Sequence, residues 1–127
     1  MVSIPVSVGE LIDKLSILQV KKGKVKNIDK LKFIEKEYDL LFNMSTEYLN
    51  DIDILSTYKE LIDVNLKLWE VEDELRVIEN TKVFDDKFVE LARAVYYTND
   101  ERFRLKDKIN NLTNSEIKEQ KDYKEYK

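Results

Sequence analysis

LIDVNLKLWEVEDELRVI, residues 61–78, is the stretch whose reading decides the fold. Leu61, Val64, Leu68, Val71, Leu75 and Ile78 step by three, four, three, four and three residues. That is the period of a helix burying one stripe, and it does not fit the two-residue period of a strand. The spacing predicts a helix over residues 54–79, with Asp63, Lys67, Glu70 and Glu74 on its solvent face.

Upstream, Leu31, Ile34, Tyr38, Leu41, Ser45, Tyr48 and Ile52 repeat the pattern and predict a helix over 28–49, broken near residues 51–53. Gly23 and Asn27 bracket the turn before it. Ser7-Val8-Gly9-Glu10 reads as a capping box, in which Ser7 accepts from the Glu10 N–H and Glu10 reaches back to that of Ser7. It opens a helix over 8–22 that carries Leu11, Ile12, Leu15 and Leu18 on one face. Downstream, Asp85 is the expected N-cap of a helix running to about residue 112. After Thr113 the chain is almost all polar, so residues 114–127 read as a charged, frayed or disordered tail. Two Gly and one Pro supply little of the turn chemistry a β-rich chain needs. The expected architecture is all-α: one compact antiparallel bundle of about four helices, one short and three long, over residues 1–113.

Composition removes several chemistries. The chain has no Cys and no His, so thiol nucleophiles, imidazole bases and the common zinc ligands are absent. No metal site and no cofactor is expected. Net charge is −4, against the basic excess of a nucleic-acid binder. No apolar run reaches membrane-spanning length and no signal peptide is apparent, so a cytoplasmic location and no membrane partner are expected.

The informative anomaly is polar. Phe88, Leu91, Ala92 and Val95 form an apolar stripe, but its continuation meets Asn99, Arg102, Lys106 and Asn110. On the third helix Asn65, Glu72 and Arg76 fall between two apolar stripes, with Asp73 at the edge of one. On the first helix Asp13 lies between Ile12 and the pair Ile17 and Val20. Acids from the first and third helices thus face bases mainly from the fourth, with Glu72 as the expected partner of Arg102. A buried ion needs such a partner, because leaving it alone costs several kcal/mol. Glu70-Val71-Glu72-Asp73 also matches half of the E-x-x-D signature of all-α nucleotide pyrophosphatases, but Glu60, Asp63 and Glu70 fall on the solvent face.

Two blocks carry a family resemblance: Ile4 through Leu18, and Leu68-Trp69-Glu70-Val71-Glu72-Asp73-Glu74-Leu75-Arg76 with the later Leu91-Ala92-Arg93-Ala94-Val95-Tyr96, Asn99-Asp100, Leu105-Lys106 and Ile109-Asn110. Together they resemble a bacterial and phage family of unknown function, domain of unknown function 6165. The resemblance implies no activity. It implies only that the family's blocks include Asp13, Asp73, Arg76, Asn99, Arg102 and Lys106.

Two functional readings follow. In one the chain is a helical-bundle interaction or structural protein whose charged network sets helix register, with self-association through the heptad seams of the second and third helices. In the other it is a binding module or enzyme that grips a phosphate- or carboxylate-bearing small molecule. Arg76, Arg102 and Lys106 would hold the anion, and Glu72 or Asp73 would act as acid/base or Mg²⁺ ligand.

Overall fold

The structure, a computed structural model, describes residues 1–126. It comprises α1 (Val8–Lys24), α2 (Ile28–Leu49), α3 (Ile52–Thr81) and α4 (Asp86–Thr113), with no strand among the described residues. Each helix starts where a short polar side chain can take an unpaired backbone N–H. Ser7 accepts from Glu10, Asn27 from Lys30, Asp51 from Asp53 and Ile54, and Asp85 from Lys87 and Phe88. The Asp51 cap explains why α3 begins at Ile52, earlier than the periodicity suggests. Lys82 and Asn114 end α3 and α4 in the left-handed region, at φ 59° and 52°.

The α1 helix is the centre of the bundle, packed against the other three. By contrast α2 lies on α1 and, less extensively, on α3, without touching α4. The α3–α4 pair forms a long hairpin. Ile12, Leu15, Ile54, Tyr58, Leu61 and Ile109 make the core, edged by Tyr38, Leu41 and Tyr48. Burying side chains of this size supplies about 1.5–3 kcal/mol each before entropy is charged against it. The heptad seam of α3 packs inside the chain, and that of α2 reaches the core only at its edge. Leu61, Val64, Leu68 and Val71 of the α3 seam are buried, whereas Ser45 is the one buried residue of the α2 seam.

Residues 114–126 have no regular secondary structure and lie beside α4. The Tyr126 hydroxyl donates to the Asp100 carboxylate, and its ring meets Tyr96 and Tyr97 edge-on.

Candidate functional site

The α1 and α4 helices run antiparallel and approach closely at Gly9. A Cβ there would press into the Lys106 carbonyl oxygen and come within 2.8 Å of Asn110 Oδ1. The close approach completes the capping of α1. Gly9 N–H donates to Asn110 Oδ1 at 2.7 Å, Val8 N–H to Ser115 Oγ at 3.2 Å, and Glu10 N–H to Ser7 Oγ at 3.0 Å. Three N–H groups that a helix start leaves unpaired are satisfied from three separate segments.

One turn further along α1, Asp13 is fully buried, at 0 % exposure. Arg102 grips it from α4 through both oxygens: Nε lies 3.0 and 3.1 Å from Oδ1 and Oδ2, and Nη2 lies 2.5 Å from Oδ2. From α3, Asn65 donates to Asp13 Oδ1 at 3.1 Å and to Ser16 Oγ at 2.8 Å. Ser16 in turn donates to the Asp13 carbonyl at 2.6 Å. The planar fork of arginine matches a carboxylate, which fixes the rotation of α1 against α4 as well as neutralising charge. Hydrogen bonding to Asp13 raises the Arg102 pKa above its ordinary value, against the opposing effect of burial.

Lys106 sits one turn beyond Arg102. Its Nζ lies 2.7 Å from Glu10 Oε2, 3.1 Å from Glu119 Oε1 and 4.0 Å from Asp13 Oδ2. Burial alone would lower its pKa. The bond to Glu10, the attraction of Asp13 and the bond to Glu119 outweigh that, and the net shift is upward. No buried side-chain nitrogen or oxygen among the described residues lacks a hydrogen-bond partner. Beside these groups opens a pocket of about 220 Å³. Asn99, which is half-buried, shares its wall with Arg102, Lys106 and Phe103.

The structure thus brings together Asp13, Asn65, Arg102, Lys106 and Asn110, with Asn99 at the rim. It does not bring in Glu72, Asp73 or Arg76. Asp73 and Arg76 are exposed, and Arg76 pairs with Glu72 one turn away at 2.7 Å. The reason is axial reach. The α1 helix ends where Lys24 faces Glu70 at 3.8 Å, so the polar strip of α3 continues past the helix that would have covered it. The expected Arg102–Glu72 pair is replaced by Arg102–Asp13.

Four contributors escaped the sequence reading. Glu10 was legible as half of a capping box, but its carboxylate turns to the Lys106 ammonium. Among the described residues no hydrogen bond returns to the Ser7 N–H, and a cation is the stronger partner for a carboxylate. Ser16 lay one turn from Asp13 and could have been found as its neighbour. Ser115 and Glu119 lie in a stretch without periodicity, which gives no signal for contact.

No group of three or more His, Cys, Asp or Glu positioned to hold a metal ion occurs among the described residues. No helix among them is long and apolar enough to cross a membrane.

Fold and site define an all-α bundle organised around a buried, fully partnered charge network. Residues 2–126 match the family of unknown function DUF6165, and the chain belongs to that family. Searches of curated proteins and of solved structures found no match.

Proposed function

We propose that this protein is a self-associating helical interaction module, in which the charge network fixes helix register and the outer face of α2 meets a second copy. The observation that carries this is the poor burial of α2. Its 22 residues bury only Ser45. Phe33, Leu40 and Met44 share one face at helical spacing and are 78 %, 44 % and 54 % exposed. Apolar side chains aligned this way favour a partner helix over water. Charge supports an antiparallel arrangement. Residues 28–36 carry net +1 and residues 37–49 net −3, so two opposed copies set unlike ends together. A cytoplasmic setting in a bacterium or phage-infected cell fits a Cys-free, acidic chain with the block pattern described above.

Sedimentation velocity over a concentration series tests the reading. The wild type should dimerise. Leu40→Glu should remain monomeric with an unchanged circular-dichroism melt, because Leu40 lies outside the core. A wild type that stays monomeric throughout, or a Leu40→Glu variant that associates equally well, overturns it.

The alternative, a binding module or enzyme for an anionic ligand, draws support from Arg102 and Lys106 beside the pocket. Glu72, Asp73 and Arg76 share no ion pair with either base, which leaves the acid/base or Mg²⁺ role without support.

A further inference from the structure

We propose that the pocket beside Lys106 binds one phosphate or carboxylate group, and that Glu119 of the tail is its tethered competitor. The inference deepens the anion-binding alternative and is independent of self-association through α2.

Arg102 and Lys106 pair with Asp13, Glu10 and Glu119, and Lys121 lines the pocket beside them. With Lys14, which faces Glu10 at 3.8 Å, four cations stand around these three carboxylates. Two of those carboxylates are on α1, and Asp13 is wholly enclosed. Only Glu119 belongs to a segment without secondary structure, and its side chain is 39 % exposed. It is the carboxylate that can leave without disturbing a helix. Its departure would add one more unpaired positive charge to a cluster already in cationic excess, at the Lys106 ammonium that an oxyanion could take over.

The position is also built. The Lys106 side chain is only 8 % exposed, and its ammonium is held in place by Glu10 from the other side. Asn99 adds an amide at the rim, and Lys121 reaches in with its ammonium 5.3 Å from the Phe103 ring centre. At about 220 Å³ the pocket has room for one acidic group, and it shares Asn99, Phe103 and Lys121 with a neighbouring cavity of about 1010 Å³. A partly exposed ion pair such as Lys106–Glu119 contributes little, and an external anion can compete with it.

Calorimetric titration of the full chain with inorganic phosphate and, separately, with succinate, at matched ionic strength, tests the proposal. Glu119→Gln should tighten binding of at least one probe about threefold to tenfold, by removing the competing carboxylate. Glu116→Gln, the same charge change on an exposed tail position, should leave affinity as it is. Lys121→Ala should weaken binding without affecting the fold, because the residue is exposed. A response to phosphate alone assigns a phosphate site, and to succinate alone a carboxylate site. The proposal fails if Glu119→Gln binds no tighter than wild type, if Glu116→Gln matches its gain, or if neither probe binds either protein.

Discussion

At the residue scale the molecule turns on Asp13. A carboxylate at 0 % exposure is tolerable only because Arg102 and Asn65 satisfy its oxygens and the base supplies the opposite charge. Asp13→Asn keeps the shape, removes the charge, and leaves the Arg102 guanidinium without its counterion. Breaking a buried pair from one side costs about 3–5 kcal/mol, and urea unfolding should read a loss of that order. The paired change Asp13→Asn with Arg102→Met removes both charges and should recover most of it, giving a large coupling in a double-mutant cycle. A single-variant loss below about 1 kcal/mol would mean that the pair is solvated and does not set register. Lys106 adds a pH signature. Its folded pKa is raised above the ordinary 10.5, so folding favours its protonated form. The stabilisation is fully present below the unfolded pKa and is lost as pH rises through the folded one. The stability gap between wild type and Lys106→Met should therefore be constant from neutral pH to about 10 and close above it. A gap that instead closes on acidification would assign the effect to the carboxylates.

At the scale of elements, the crossing of α1 and α4 depends on Gly9. Its role is close approach and not a special backbone angle, since no glycine in the chain has positive φ. Gly9→Ala drives a methyl into the α4 backbone, which cannot move as a flexible side chain would. Overpacking of this kind costs about 1–3 kcal/mol, and here it also lengthens the Gly9–Asn110 bond. A thermal melt indistinguishable from wild type would show that α1 shifts freely on α4. These two helices also mark what the sequence discloses. Ser7, Asp85 and the three-four spacing of leucines announced where helices begin and which face they bury, because caps and periodicity are local. Asp13, Asn65, Arg102, Lys106 and Asn110 were legible as polar residues on apolar faces. The helical spacing that singles them out also singles out Glu72, Asp73 and Arg76, because it gives an angle around an axis and says nothing of how far along that axis a neighbour extends. The lengths supply the missing coordinate: 17 residues of α1 cover about 25 Å, and 30 residues of α3 about 45 Å. Gly9 in the capping text carried no mark of a helix crossing, since nothing local distinguishes a glycine needed for contact from one that merely follows a cap.

At the scale of the whole molecule, stability is distributed unequally. The Asp13 network joins α1, α3 and α4, and the apolar core draws on the same three helices. The α2 helix contributes Tyr38, Leu41, Tyr48 and Leu49 at the core's edge, a cation–π contact from Lys22 to Tyr38 at 3.9 Å, and no residue to the charged network. A segment with few buried contacts opens at lower free energy than the global transition. Hydrogen exchange of a dilute sample should find α2 amides exchanging first, while the amides of α1 around Asp13 and of α4 around Arg102 persist to global unfolding. Raising protein concentration should then slow exchange in α2 selectively, because a second copy on Phe33, Leu40 and Met44 covers the element the monomer leaves loosest. Leu40→Glu should abolish that concentration dependence and leave protection in α1 and α4 untouched. Uniform protection across all four helices at every concentration would contradict both the partition of stability and the role assigned to α2, since a helix as firmly held as its neighbours has no need of a partner.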